Sequence, residues 1–410
     1  MTSMPLTIDD IQSAAERIKG SVQRTPCPHS VPLSMATGSE IFCKLDFLQR
    51  TGSFKERGAR NALLLLDDTR KRRGVITASA GNHALGLAYH ARLLAIPVTV
   101  VMPSFAPLTK IVNCQQLGAT VLLQGANIEE ARGHAMKLVE QQDLTYINGY
   151  DHPDIIAGQG TMGLEIVEQV PDLDAVIVPI GGAGLIAGLS LAIKTLKPNV
   201  SIIGVEPERA ASYSAAVKAG APVLIQMQPT LADGLAVPRV GENAFQIARH
   251  YIDRLVTVGE RAIALAVLRL VELEKAVVEG AGAVPLAACL AGLLPELRGK
   301  KIVLPLCGGN IDTNILGRII ERGLAADGRL CRFSAVISDR PGGLSRFTAV
   351  IADEGASVRD IAHDRAFASE DISTVTVHCV VETRDEGHVR RLRERLAREG
   401  FDVTFPDATR

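Results

Sequence analysis

From about residue 74 the chain alternates between short β-branched runs and longer alanine- and leucine-rich stretches. The run 74–77 precedes a helical pattern over 82–94, 98–102 precedes one over 109–117, and 120–123 precedes one over 128–141. Apolar runs without polar alternation suit strands covered on both faces, so this rhythm predicts βαβ units and mainly parallel sheets. Similar runs return at 175–179, 202–205 and 302–305, each closed by glycine or proline. Two α/β lobes account for the repetition, with a ligand cleft expected where the carboxyl ends of strands converge.

The rhythm changes at the charged, glycine-containing segment 321–329, ERGLAADGR. A first domain over 1–325 is expected to end there, and a second to run from 330 to 410. In the second, 330–338 alternates apolar and polar residues as a half-buried strand, 344–354 reads as a helix, and 357–363 and 373–381 read as strands. A charged amphipathic helix over 387–400 and a strand over 401–404 complete a βαββαβ, ferredoxin-like order.

Composition narrows the class. At 410 residues and 47% hydrophobic content, the chain can bury two or three cores. Its 44 basic and 45 acidic side chains are well mixed, which advertises no basic face and excludes nucleic acid as a partner. Seven scattered cysteines, an odd count without paired spacings, read as reduced thiols and point to the cytoplasm. The start, 1–10, lacks the apolar run of a signal peptide, and the greasy stretch 175–193 is too broken by glycine to span a bilayer, so no membrane association is expected.

Three segments carry candidate chemistry. Gly181-Gly182-Ala183-Gly184-Leu185 follows an apolar run and opens a helical one, so its backbone amides could converge on a phosphate at a helix start; the alternative is an ordinary strand-to-helix turn. Its spacing differs from the dinucleotide fingerprint, which disfavours a nicotinamide enzyme. Ser79-Ala80-Gly81-Asn82-His83 occupies the same kind of junction and could hold a carboxylate, or else Ser79 or Asn82 caps the helix. Lys55, in Ser53-Phe54-Lys55-Glu56-Arg57-Gly58-Ala59, could by itself be a surface lysine.

Taken together, these segments resemble the serine/threonine dehydratase family of fold-type II pyridoxal-phosphate enzymes. The 53–59 segment is similar to that family's lysine motif, 79–83 to its substrate-carboxylate loop, 181–185 to its phosphate loop, and Cys307-Gly308-Gly309-Asn310 to the segment facing the pyridine nitrogen. The resemblance implies a two-lobed, tryptophan synthase β-like fold and a pyridoxal 5'-phosphate cofactor. It implies that Lys55 bonds the cofactor and later removes the substrate's Cα proton, that Phe54 packs against the ring, and that Asn82 hydrogen-bonds the ring oxygen. It further implies that the cofactor phosphate protonates the departing hydroxyl, His83 being placed by its helix start in a structural role. A thiol at Cys307 is a weak donor and should leave the ring largely neutral, although an ionised thiol would pair with a protonated ring.

Relatives that racemise serine carry a hydroxyl where Ala80 stands, so racemisation is demoted. Glu206 matches a metal ligand of some relatives and Ala210 could lend a carbonyl, for a divalent or monovalent cation, but Ser212 replaces a carboxylate. The tail resembles an ACT regulatory domain, with Pro341, Gly342, Gly343 and Leu344 in the turn expected to hold a branched-chain amino-acid effector. The implied activity is dehydration of L-threonine to 2-oxobutanoate and ammonia, with L-serine as a second substrate, in a homo-oligomer of two or four chains. The alternatives are a dehydratase for serine or 3-hydroxyaspartate, a β-replacement synthase, or a catalytically silent amino-acid sensor.

Overall fold

The structure, a computed structural model, describes residues 6–365 and 372–405. The outermost residues of the two expected domains, 1–5 and 406–410, lie outside the described residues. The chain divides into two compact units, Met1–Leu316 and Gly317–Arg410.

The first unit is built on two sheets. Strands Thr120–Leu123, Val98–Met102, Val75–Ala78 and Thr145–Tyr146 lie side by side in that order, all parallel. The second sheet has the order His29–Ser30, Glu40–Lys44, Lys301–Pro305, Ala175–Pro179, Ser201–Pro207, Arg254–Val258, parallel except for the first pair. Its central members are β-branched and buried on both faces; every residue of Ala175–Pro179 is buried. Each sheet has its own apolar core, one around Val176, Val178, Ile186 and Phe245, the other around Leu63, Leu87, Val100 and Ile155.

The strand order positions the site. Lys301–Pro305, the last strand of this unit in sequence, is inserted between Glu40–Lys44 and Ala175–Pro179. Parallel strands present their carboxyl ends on the same side, so the segments leaving Lys44, Pro179 and Pro305 emerge together. Leu306 N donates to Lys44 O at 2.9 Å, and Phe47 N to Leu306 O at 2.9 Å, which stitches two of these exits together.

Behind them lies a buried ionic network. Arg57, fully buried on helix Lys55–Leu64, donates from Nε and Nη2 to Asp46 at 2.7 and 2.9 Å, and from Nη1 and Nη2 to Glu165 of helix Pro153–Gln169 at 2.7 and 2.9 Å. Lys44 Nζ pairs with Glu165 and donates to Thr25 O at 2.6 Å and to Gln169 Oε1 at 2.9 Å. Burial alone would raise the Asp46 carboxyl, but the adjoining guanidinium overrides it and holds the acid below its ordinary range. Two cations and two anions thus balance one another in the interior.

The second unit is a four-stranded antiparallel sheet, ordered Ser357–Asp364, Thr374–Glu382, Leu330–Ser338, Asp402–Thr404, with helices Gly343–Asp353 and Glu386–Arg398. Alternate residues of Thr374–Glu382 are buried, as a sheet with one covered face requires. Its core gathers Phe333, Phe347, Val377, Leu392 and Leu396, and Phe333 stacks on Phe405 at 4.5 Å. Among the described residues no helix is long and apolar enough to cross a membrane.

Arg57→Ala is expected to destabilise the first unit by ~3–5 kcal/mol, because it leaves Asp46 charged and buried without its ion-pair partner, with only the Thr25 hydroxyl donating to it. The midpoint of thermal unfolding of the purified variant measures this; a variant as stable as the parent would show the network to be dispensable.

Candidate active site

The exits of the central strands open on a cavity of about 440 Å³ in the first unit. Lys55, Phe54, residues 79–83, residues 181–185 and Cys307 all line it. The convergence of strand carboxyl ends expected from the sequence therefore brings these motifs together.

Lys55 is the first residue of helix Lys55–Leu64. The helix start is fixed across the sheet by Phe54 N donating to Cys307 O at 2.9 Å and by an antiparallel bridge between Ser53 and Gly308. Its Nζ donates to Gly149 O at 2.7 Å and lies 5.0 Å from the centroid of the Phe54 ring. Desolvation lowers its pKa to about 8, against the opposing pull of Cys307 and Glu279. The free amine needed of a nucleophile is thereby within reach near neutrality.

Both small-residue loops precede helices without side-chain caps. Gly81 is the N-cap of helix Asn82–Leu93, and Ser79 Oγ accepts from Gly81 N at 3.3 Å; neither Ser79 nor Asn82 caps the helix. Ala183 takes a left-handed conformation, φ 71°, as N-cap of the buried helix Gly184–Leu196. A Cβ on Gly184 would stand 2.3 Å from Tyr150 O, so only glycine lets the loop close against that backbone. Uncapped amides at the start of a 13-residue helix favour an anion.

The other expected residues divide. Cys307 donates from Sγ to Pro305 O at 3.2 Å, and burial pushes its thiol well up, so it stays protonated. His83 Nε2 donates to Ile147 O at 3.1 Å; burial first, then Lys55, lower its pKa to about 3, so the ring is neutral with its proton committed. Glu206 stands away from the cavity, accepting from Tyr213 N at 2.6 Å, Ser214 N at 2.8 Å and Ser214 Oγ at 2.5 Å. Ala210 closes a short helical turn ahead of helix Ser212–Ala219. Among the described residues no group of three His, Cys, Asp or Glu side chains could hold a metal ion. Gly342, with φ 93°, is N-cap of helix Gly343–Asp353 in the second unit, and Pro341 and Leu344 flank that start.

Glu279 is the residue that sequence reasoning missed. It is 6% exposed, lines the cavity, and accepts from Asn82 Nδ2 at 2.7 Å. Burial, with Asp233 adding to it, raises its pKa to about 7. The available signal was a lone acid opening the uncharged run Glu279-Gly280-Ala281-Gly282-Ala283, since an apolar helix of small residues has no solvated face to receive that charge.

Residues 18–308 match the Pyridoxal-phosphate dependent enzyme family, and residues 334–398 match the ACT domain. The chain belongs to the pyridoxal-phosphate-dependent enzymes and carries an ACT domain toward its C-terminus. Over 97% of its length it is 42% identical to the L-threonine ammonia-lyase of Thermotoga maritima, 99% of which is covered. Among solved structures it is similar to the processed form of threonine deaminase isoform 2 from Solanum lycopersicum, with a TM-score of 0.72 and 35% identity over 78% of this chain and 96% of that one. It is likewise similar to maize serine racemase, with a TM-score of 0.74 and 34% identity over 78% of this chain and 99% of that one.

The residues present fit the cofactor. A desolvated lysine and a helix start with free amides face one cavity, which suits an aldehyde and a phosphate respectively, and Cys307 borders it as an uncharged thiol whose proton is held by Pro305 O. Gly184→Ala is expected to cost ~1–3 kcal/mol by overpacking and to displace the 149–150 backbone that holds Lys55 Nζ. Spectroscopic titration of the cofactor-free variant with pyridoxal phosphate would show weaker uptake; unchanged affinity would relocate the phosphate site.

Proposed function

We propose that the chain converts L-threonine to 2-oxobutanoate and ammonia and acts also on L-serine, giving pyruvate. The observation that carries this reading is Lys55, a desolvated amine fixed at a helix start in a cavity that residues 79–83 and 181–185 also line. Pyridoxal phosphate supplies the aldehyde that takes up an amine and the ring that accepts the electron pair left by the substrate's Cα–H bond.

The chain's own residues supply the rest. The amides of Gly181, Gly182, Ala183, Gly184 and Leu185 bind the phosphate, and the Phe54 ring packs against the cofactor. Ser79, Ala80, Gly81, Asn82 and His83 bind the substrate carboxylate. Lys55 Nζ, once free, takes the Cα proton as general base. The Cys307 thiol, a weak donor kept protonated by burial, gives the ring nitrogen no charge partner; this favours prompt loss of the β-hydroxyl over return of a proton to Cα. His83 has no proton to give the departing hydroxyl, because its one N–H is held by Ile147 O.

The ACT domain supports regulation by a small molecule, and we assign the effector, a branched-chain amino acid, to the turn of Pro341, Gly342, Gly343 and Leu344. We also read the boundaries as a catalytic domain over 1–325 and a regulatory domain over 330–410, in a dimer or tetramer.

A keto-acid assay across threonine, serine and 3-hydroxyaspartate, with and without isoleucine and valine, tests substrate and effector together. Threonine should turn over fastest, a branched-chain amino acid should shift its concentration dependence, and Lys55→Ala should abolish both turnover and the absorbance of lysine-bound cofactor. Faster release of keto acid from 3-hydroxyaspartate would reassign the substrate. Ala80→Ser is expected to raise D-serine formation relative to pyruvate, since it gives the loop a hydroxyl able to return a proton to Cα. Chiral chromatography of recovered serine checks this, and an unchanged ratio would show that Ala80 does not set the reaction choice.

A further inference from the structure

Glu279 occupies the N-cap position of helix Gly280–Leu290, yet its carboxylate makes no capping bond. It turns instead into the cavity wall, where a directed chain of side-chain amides ends on it. Asn310 Nδ2 donates to Thr51 O at 2.6 Å and to Asn82 Oδ1 at 2.8 Å, and Asn82 Nδ2 donates to Glu279 Oε1 at 2.7 Å. Thr51 O is a backbone carbonyl and can only accept, so it fixes which way the Asn310 amide faces, and through it the Asn82 amide. The polarity of the chain is therefore set at one end by the backbone and demands an acceptor at the other.

The backbone is shaped around this chain. A Cβ on Gly308 would lie 2.4 Å from Glu279 Oε1 and 3.1 Å from Asn82 Nδ2, and one on Gly52 would lie 2.4 Å from Asn310 Oδ1. Glu279 N in turn donates to Gly308 O at 3.0 Å. The titratable groups acting on the carboxyl are Asp233 on the turn Asp233–Leu235, Lys110 on helix Leu108–Gln116, Lys55 and Cys307. Lys110 and Asp233 pair with each other at 3.3 Å, so neither is a dedicated counter-ion for Glu279.

We propose that Glu279 is a positioning residue for the cofactor: by accepting from one N–H of Asn82 it holds that amide so that the second N–H serves the cofactor's ring oxygen, and its charge tunes that contact. The proposal rests on the cofactor reading above. Burial raises the carboxyl to about 7, so its charge is present above that pH and is lost as pH falls through it. The charge at the end of the amide chain therefore changes near neutrality.

The test is the absorbance of the holoenzyme without substrate, titrated from about pH 5.5 to 8.5, a window that brackets the raised carboxyl. The wild-type spectrum should show a transition with a midpoint near 7. Glu279→Gln keeps an acceptor for Asn82 but carries no charge, so it should retain the cofactor and lose the transition. Glu279→Leu removes the acceptor as well; leaving a buried N–H unpaired should weaken cofactor retention by about fivefold or more. A wild-type spectrum flat across this range, a Glu279→Gln titration superimposable on wild type, or a Glu279→Leu variant that holds the cofactor as tightly would each overturn the proposal. A chain that takes up no cofactor would instead bring down the cofactor reading, and this proposal with it.

Discussion

The amide of Phe54 donates to the carbonyl of Cys307, and beside it Ser53 bridges Gly308. These contacts join segments at opposite ends of the first unit and fix where Lys55 begins its helix. The Arg57 network secures the same helix from behind, tying it to Asp46 and Glu165. Held at both faces, the helix start cannot rotate without breaking either a backbone bridge or a buried ion pair. From that fixed start Lys55 reaches Gly149 O and faces the loops 79–83 and 181–185 across the cavity.

Burial then does electrostatic work in one direction. Lys55 is pushed down, Cys307 up, His83 down and Glu279 up, each toward its uncharged form. A desolvated wall penalises any charge without a partner, so these four groups are neutral or close to their titration points. A phosphate held by residues 181–185 would meet backbone dipoles at the start of helix Gly184–Leu196. The acceptor of Lys55 Nζ is the neutral carbonyl of Gly149, and desolvation outweighs the pull of Cys307 and Glu279 on its proton.

Much of this was legible in the sequence because it is local. The strand-loop-helix junctions at 79–83 and 181–185 follow from a β-branched run, a cluster of small residues and an alanine-rich stretch, and the second unit's strands and helices fall within a residue or two of their expected bounds. What escaped is long-range. Strands His29–Ser30 and Thr145–Tyr146 are too short to show a period, and nothing in the spacing says that 301–305 inserts beside 40–44. Glu279 and Asn310 acquire their roles only by meeting Asn82, a residue far from either in sequence. The partners of Arg57 are invisible for the same reason: a charged helix reads as solvated until the chain that covers it is in place.

That inserted strand also governs how the protein comes into being. Synthesis proceeds from the N-terminus, so Glu40–Lys44 and Ala175–Pro179 leave the ribosome long before the strand that separates them. Until then both present unpaired edges, open to mispairing with each other or with another chain. At that stage Lys55 and the loops 79–83 and 181–185 are present, but Lys301–Pro305 and Cys307 are not yet beside them. On this topology the cavity wall is complete only once the chain has been translated past Cys307.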